Sequence, residues 1–200
     1  MMMSLCVITA RLVGVPRWEP DARTRLAAAA LALYTERGFE QTTVEDIAQR
    51  AGVTRRTFFR HFADKREVLF GSGNAEGLVV KSALQSAPAD ASPLEVVGLA
   101  LEALAAKIDS GGDDAVRRIR IVRASPELWE RQLIKFSALA EALAVALRAR
   151  GVPDPAAILA AESGITALRV ASDPWIADPG SQSLRSRVVE TLAALRAVAS

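Results

Sequence analysis

The sequence predicts an all-α protein in which a small N-terminal head of three helices is joined to a larger C-terminal helical bundle. Alanine, the residue with the highest helix propensity, is used heavily throughout the chain. Nearly every segment after residue 20 repeats its apolar residues at helical spacing, and glycine or proline separates the segments. No segment shows a convincing strand pattern. Helices alone are therefore expected.

The first predicted helix covers about residues 20–37. Its apolar residues Leu26, Leu33 and Tyr34 fall on one stripe, as on a helix that packs against a core. Gly38 follows directly and is a natural C-terminal stop, because glycine readily adopts the conformation that ends a helix.

The second and third helices are predicted from their caps. The segment "TTVEDIAQRA" begins with Thr42 and has Glu45 three residues later, which is the spacing of a capping box. The pair "GV" then gives a tight turn, and Thr54 can cap a third helix that runs to about Phe62. Two capped helices joined by a tight turn predict a helix-turn-helix unit.

A fourth helix is predicted to start near Asp64, whose carboxylate suits a helix N-terminus. The run "FGSGNAEG" puts three glycines within seven residues, each costing up to about 1 kcal/mol relative to alanine. We therefore expect a kink or a break there. Asp-Pro at 173–174 and other glycine and proline pairs delimit the later helices. These are predicted at about 93–109, 113–123, 126–150, 155–172 and 182–198.

The chain divides into three predicted parts. Residues 1–19 form a disordered arm or result from a translation start that is placed too early. They resemble a secretion signal only weakly, because Arg11 interrupts the apolar stretch and no charged residue precedes it. Residues 20–66 form the head. Residues 67–200 form the bundle.

Composition excludes several classes of protein. No apolar run reaches the ~18 residues needed to span a bilayer. Cys6 is the only cysteine, so no intrachain disulfide can form and a reducing, cytoplasmic location is expected. With one cysteine and one histidine, the usual zinc sites are excluded. A metal-dependent catalyst built in a helical bundle needs Glu-x-x-His pairs, but the one histidine, His61, lies in the head. We predict no enzyme activity, cofactor or metal.

Positive charge is concentrated in residues 50–66. This stretch contains six basic residues and one acidic residue, a net charge of +5 in a chain of formal net charge +2. The remainder is therefore slightly acidic. A local basic patch of this kind is typical of a protein that contacts a polyanion.

The third helix separates its aromatic residues from its basic ones. At 100° per residue, Phe58 and Phe62 fall on one side and anchor the helix to the core. Arginine on the other side can donate two hydrogen bonds to guanine in the major groove of DNA. A solvated basic face is the alternative, but the two caps and the turn favour DNA. The outward residues are Arg55, Arg56, Thr57 and Arg60.

The stretch "TTVEDIAQRAGVTRRTFFRHFADKREVLF" resembles the DNA-binding region of TetR/AcrR-type transcriptional regulators. The resemblance covers about residues 24–70. It implies that Thr43 touches DNA phosphate and that Arg55, Arg56 and Thr57 meet the groove. It also implies that three further residues lie against the DNA backbone, namely Phe59, His61 and Lys65.

Two of these positions carry alternatives. The family commonly has tyrosine where this chain has Phe59, and without the hydroxyl this side chain can offer only apolar contact to sugar or to a thymine methyl group. His61 is compatible both with a phosphate contact and with a structural role for its ring.

The run "DDAVRRIRIVRASPELWERQLIKF" is similar to the TetR-type subgroup with an acyl-CoA-like ligand-binding C-terminal domain. Arg117, Arg120 and, one residue off the repeat, Arg123 fall roughly on one helical face and could then meet a ligand phosphate or carboxylate, while Trp129 and Phe136 line an apolar cavity. In the alternative interpretation the arginines pair with acidic residues and the tryptophan belongs to the core.

The resulting expectation is a homodimeric repressor that binds a roughly palindromic double-stranded DNA operator and releases it on binding a small apolar effector, of which acyl-CoA is one candidate. The alternative is a constitutive DNA-binding dimer without a ligand. The family resemblance implies that the last two helices form the dimer. Their apolar residues recur at helical spacing. These are Ile158, Leu159, Ile165, Leu168, Val188, Leu192 and Leu195.

Overall fold

The computed structural model describes residues 21–70 and 73–199, and in that part of the chain it contains ten α-helices and no strand. The all-α prediction is confirmed. The predicted arm, residues 1–19, lies outside the described residues. No described helix is both long and apolar enough to cross a bilayer. The helices are α1 (Ala22–Arg37), α2 (Val44–Arg50), α3 (Arg55–His61), α4 (Glu67–Phe70), α5 (Gly73–Ser86), α6 (Pro93–Asp109), α7 (Gly112–Ala124), α8 (Pro126–Ala149), α9 (Asp154–Ala177) and α10 (Leu184–Ala199).

Helix α2 begins one residue later than the sequence predicts. Thr43, rather than Thr42, is its N-cap: the Thr43 Oγ1 accepts from the amide of Asp46 at 3.1 Å, and Asp46 Oδ2 accepts from the amide of Thr43 at 2.9 Å. The Thr42 side chain is buried instead, and its hydroxyl donates to the Gly38 carbonyl at 2.8 Å. The predicted box with Glu45 is therefore wrong by one position, because burial selects between two adjacent threonines that both fit the motif.

Helix α3 is held as the sequence predicts. Thr54 caps it by accepting from the Thr57 amide at 3.1 Å, and Gly52 makes the preceding turn with a φ of 65°. Phe58 is fully buried and Phe62 is 5% exposed, in a core shared with α1 and α2. The two phenylalanines therefore fix the orientation of the helix, and its opposite side remains in solvent.

In place of the predicted fourth helix the structure describes α4 and α5; residues 71–72, within the glycine-rich run where a kink or a break is expected, lie outside the described residues. Three of the four residues of α4 are buried in the head core, and Glu67 is the exception. This core also includes Val122 of α7 and Leu128 of α8. The head therefore rests directly on one end of the body, and its core extends beyond residue 66.

The body is a bundle in which α6, α9 and α10 pack on one another and α8 packs along α9. The helix predicted over 155–172 does not end near residue 172, because α9 continues through Pro174 to Ala177. Proline removes one backbone hydrogen bond, at a cost of about 3 kcal/mol. Ala171 and Trp175 continue the buried stripe of the helix across this position, and their burial offsets that cost.

Most residues predicted to form the dimer lie inside their own subunit. Four are at most 4% exposed in the core of the body. These are Ile165, Leu168, Val188 and Leu192. Ile158 and Leu159 are exposed, and Leu195 is partly buried. A helical apolar stripe in a bundle marks the inward face, so a subunit contact through α9 and α10 would use the outward sides of these helices.

Gly164 of α9 is required by the close packing of α9 on α6. A Cβ atom there would overlap Cγ1 of Val97 and come within 3.0 Å of Cδ1 of Leu101. Gly164→Ala gains about 1 kcal/mol of helix propensity but incurs an overpacking cost of about 1 to 3 kcal/mol, so net destabilisation is expected. Guanidinium unfolding measures it. The matched control is Gly77→Ala in α5. Apart from the neighbouring residues and backbone of its own helix, no heavy atom lies within 4 Å of a Cβ atom added there, so stability should stay equal or rise. Equal behaviour of the two variants would contradict this packing.

Candidate DNA-contacting face and effector cavity

The outward face of α3 presents the residues that the sequence analysis assigned to the major groove. Arg55, Arg56 and Arg60 are exposed and Thr57 is partly exposed. Within the described residues, neither Arg56 nor Arg60 has a hydrogen-bond or ionic partner. Arg55 pairs with Glu45 at 3.0 Å, with both side chains more than half exposed. Such a surface pair contributes at most about 1 kcal/mol, so it leaves the guanidinium free to exchange partners.

The two flanking positions differ in accessibility. Phe59 is 45% exposed, and its ring packs edge-on against Phe58 at a centroid distance of 5.4 Å. The His61 carbonyl accepts from Arg23 Nη1 at 3.0 Å. The Nε2 atom of His61 is buried without a hydrogen-bond partner in the described part of the chain. A phosphate contact through Nε2 therefore requires rotation of the imidazole ring.

Lys65 is engaged with the protein itself. Its Nζ donates to the carbonyls of Phe39 at 3.0 Å and Thr42 at 3.1 Å, and it lies 4.2 Å from the centre of the Phe39 ring. The Tyr34 hydroxyl donates to the Lys65 carbonyl at 2.6 Å, and burial raises the pKa of Tyr34 well above its ordinary value. The Lys65 side chain thus connects the loop before α2 to the segment that precedes α4, next to Thr43, the predicted phosphate contact.

Much of the +5 charge of residues 50–66 is compensated in the fold. Arg50 makes two hydrogen bonds to Glu36, one of them 2.6 Å long. Arg66 binds Asp64 at 2.6 Å and Glu127 at 3.1 Å. Burial acts to raise the pKa of Asp64, but the hydrogen bonds and charge of Arg66 together with the hydrogen bond from the Glu67 amide outweigh it and hold this pKa below its ordinary value. Among the described residues, the cations of this stretch that have no carboxylate partner are Arg56 and Arg60 on α3, and Lys65.

A cavity of about 420 Å³ lies in the body, next to α4. Its wall is mainly apolar and includes both Trp129 and Phe136, the residues that the sequence analysis assigned to such a cavity. Their rings pack edge-to-face at 6.4 Å. Leu69 and Phe70 of α4 also line the cavity. The volume is in the range of pockets that enclose small organic ligands.

Arg117 and Arg120 do not line this cavity. Arg117 pairs with Asp114 on the surface, and Arg120 donates to the carbonyl of Ile176 at 2.6 Å, at the C-terminal end of α9. The α7 arginines that do line the cavity are Arg118 and Arg123. Arg123 lies roughly on the same face of α7 as Arg117 and Arg120, and the sequence pattern does not reveal which arginines of the helix reach a cavity.

Each cation in the cavity wall already has a carboxylate partner. Arg118 lies 3.8 Å from Glu76. Lys135 lies 3.9 Å from Glu67. Arg123 pairs with Asp173. The sequence analysis missed Glu76, Arg118 and Lys135, because the apolar residues beside a charged residue do not show whether it faces a cavity or solvent.

An ion pair connects α4 to α8. Glu67 accepts from Arg131 Nε at 2.9 Å and from Arg131 Nη2 at 2.6 Å. The Lys135 ammonium lies 5.2 Å from the centre of the Phe70 ring, so this cation contacts α4 and also lines the cavity. The position of α4, and with it the head, is therefore coupled to the cavity wall.

A capped helix-turn-helix head with a basic third helix, seated on an all-helical body, defines a class of bacterial DNA-binding regulators. Residues 26–71 match the family model for bacterial regulatory proteins of the tetR family. The head of the chain thus matches the DNA-binding region of TetR/AcrR-type transcriptional regulators.

Known relatives agree with this family. The transcriptional regulator TcmR of Streptomyces glaucescens is 34% identical over 134 residues, which is 64% of this chain and 59% of TcmR. The match thus spans about three fifths of that relative. Two solved structures share the fold. The SmeT–triclosan complex has a TM-score of 0.60 at 20% identity, and the match covers 88% of this chain and 91% of SmeT. Thermus thermophilus FadR in complex with lauroyl-CoA has a TM-score of 0.55 at 24% identity, and the match covers 86% of this chain and 91% of FadR.

Proposed function

We propose that this protein is a homodimeric repressor whose operator is released when an elongated, mainly apolar effector with an anionic end, of the acyl type, fills the cavity. One observation carries the proposal: the cavity wall is built both from α4, which packs in the core of the head, and from α5, which follows it. Leu69 and Phe70 lie before residues 71–72, and Glu76 and Gly77 lie after them. A ligand in this position contacts the junction that joins head and body.

The head is proposed to dock with α3 in the major groove. Arg55, Arg56, Thr57 and Arg60 face the bases, and side chains at the edges of the head face the sugar-phosphate backbone. The backbone-facing residues are Thr43, Phe59, His61 and Lys65. Lys65 also holds the loop before α2, so it supports the position of Thr43 as well as adding charge.

Effector binding is proposed to act through α4. A ligand that displaces Phe70 or Lys135 changes how α4 sits on α8, because both residues contact each other and line the cavity. The ligand must bind the conformation that does not fit DNA more tightly than the one that does. A hundredfold preference corresponds to about 2.7 kcal/mol of coupling.

Two chains are proposed to associate through the outward sides of α9 and α10. Leu159 is 66% exposed and Val189 is 44% exposed on these helices. We expect sedimentation to give a dimer at micromolar concentration and the double variant Leu159→Arg, Val189→Arg to give a folded monomer, because two charges would be buried in the contact. Leu78→Arg on α5, where the leucine is 67% exposed, is the control and should remain dimeric. A monomeric parent protein would contradict the proposed contact.

The effector proposal is tested by titrating operator binding with fatty acids and acyl-CoAs of several chain lengths, using an operator obtained by selection from random DNA. We expect at least one chain length to weaken operator binding by tenfold or more. Val80→Trp, which fills the cavity, should abolish the response. Leu78→Trp adds the same ring on the solvent side of α5 and should respond like the parent. If no acyl ligand weakens operator binding, the acyl effector is wrong.

A further inference from the structure

The polar side chains in the cavity wall differ in how fully the protein itself satisfies them. The Ser172 hydroxyl donates to the backbone of its own helix at 2.7 Å, and Arg118 and Arg123 each face one carboxylate. Two wall residues of α8 are different. Neither Gln132 nor Lys135 makes a hydrogen bond with any residue that the structure describes. These two side chains are therefore available to a polar group of a ligand.

Gln132 and Lys135 lie side by side on α8. A separation of three residues places two side chains on the same face of a helix, and both residues are partly buried. The next residue, Phe136, also lines the cavity, and the Lys135 ammonium lies beside the Phe70 ring of α4. Gln132 offers amide N–H donors and Lys135 offers ammonium N–H donors, so the pair can bind one small anionic group on the α4 side of the cavity.

The charge around Lys135 is not balanced. Glu67 faces both Arg131 and Lys135, so two positive charges share one negative charge and the three residues have a net charge of +1. Arg131 makes both of its hydrogen bonds to Oε1 of Glu67, at 2.9 and 2.6 Å. The Lys135 ammonium lies 3.9 Å from Oε2 of Glu67, which is beyond hydrogen-bond distance. Lys135 therefore keeps its N–H donors for another acceptor.

The far wall of the cavity suits an aliphatic chain. The helices α6, α9 and α10 contribute Leu104, Leu168 and Leu184 to it, and each of these leucines is buried. A cavity that combines one cationic corner with an aliphatic wall matches a molecule that has one anionic end and one long apolar chain.

We infer that the effector is a free carboxylic acid with a long aliphatic chain, and that Lys135 and Gln132 bind its carboxylate. This inference rests on the proposed effector function and narrows it from acyl compounds in general to free acids. A carboxylate brings the single negative charge that the cluster lacks, and a charge-assisted hydrogen bond from Lys135 is about twice as strong as a neutral one. An acyl-CoA places an uncharged thioester where the acid has its carboxylate, so it leaves the Lys135 charge uncompensated.

The same carboxylate would act on α4. The Lys135 ammonium lies 5.2 Å from the centre of the Phe70 ring, and Phe70 belongs to the core of the head. A ligand that draws the ammonium into the cavity weakens this contact and the pairing of Lys135 with Glu67, and both partners of Lys135 lie on α4. The site therefore connects binding of the anion to the helix that joins the head to the body.

The experiment is calorimetry on the full chain without DNA, at neutral pH and below the concentration at which the ligands form micelles. The three ligands share a twelve-carbon chain: dodecanoic acid, 1-dodecanol and dodecanoyl-CoA. The parent protein should bind dodecanoic acid about tenfold more tightly than dodecanol, and dodecanoyl-CoA should show no such advantage.

Three variants assign this preference to the site. Lys135→Met should lose most of the preference for the acid and keep the affinity for dodecanol, since the cavity itself stays intact. Gln132→Leu should lose a smaller part of the preference, because it removes a neutral donor. Lys81→Met is the matched control: it removes an exposed lysine of α5 that does not line the cavity, and it should behave like the parent protein.

The results that would overturn the inference differ in what else they overturn. If the ligands bind but the parent protein does not prefer the acid to dodecanol, or Lys135→Met keeps the preference, Lys135 is not the anion site and the cavity proposal stands. If dodecanoyl-CoA binds at least as tightly as dodecanoic acid, the effector is not a free acid. If none of the three ligands binds the parent protein, the twelve-carbon acyl effector is wrong, and the carboxylate site is wrong with it.

Discussion

Replacing Arg55 and Arg56 together by alanine is expected to abolish sequence-specific operator binding while leaving the fold intact. Each arginine that makes a bidentate contact to a guanine contributes on the order of 1 to 3 kcal/mol, so the double variant should bind at least about thirtyfold more weakly. Both side chains are exposed on α3, and neither contributes to the head core. Fluorescence anisotropy with the selected operator at fixed salt concentration measures the loss.

Two comparisons make this loss specific. Arg117→Ala removes an arginine from the surface of the body and should bind the operator like the parent. Binding of the double variant to unrelated DNA should fall much less than binding to the operator, because base contacts discriminate between sequences and phosphate contacts do not. A folded double variant that binds the operator as tightly as the parent would show that α3 is not the recognition helix.

Phe58→Ala is expected to destabilise the protein by about 3 to 5 kcal/mol, because it removes a fully buried aromatic ring from the centre of the head. Phe59→Ala changes the same residue type at the next position, where the ring is 45% exposed. Its edge contact with Phe58 suggests a cost of no more than about 1.5 kcal/mol. Guanidinium unfolding followed by circular dichroism measures both.

The two variants should also differ in DNA binding. Phe59→Ala should stay folded and bind the operator more weakly, since the exposed ring lies beside the α3 arginines: the Arg55 guanidinium is 5.4 Å from its centre. Phe58→Ala should lose binding only to the extent that the head unfolds. If the two variants lose equal stability, the assignment of one phenylalanine to the core and the other to the DNA-facing side is wrong.

The head could be predicted from the sequence almost completely, because each of its signals is local. The spacing of Phe58 and Phe62 gave the buried side of α3, and Thr54 gave its start. Thr42 and Thr43 are the exception. Both satisfy the spacing rule for a cap, and only the burial of Thr42 in the folded head decides between them.

The body could be predicted only as a set of helices. An apolar stripe shows which side of a helix is covered, but the covering element is a tertiary property. Leu168 and Leu192 therefore suggested a subunit contact although they pack within one chain. For the same reason Arg120 suggested a ligand contact, whereas Arg118, on the other flank of α7, lines the cavity. Pro174 suggested a helix end that the buried Trp175 overrides.

The central claim is that the cavity and the DNA-contacting face are coupled in one molecule. Its most direct test is to measure the affinity of the most effective acyl ligand twice, once with the free protein and once with the protein saturated by its operator. Thermodynamic linkage requires that the operator weakens ligand binding by the same factor by which the ligand weakens operator binding. We expect these two factors to agree and to be at least tenfold. Equal ligand affinity in the free and the operator-bound protein would contradict the account.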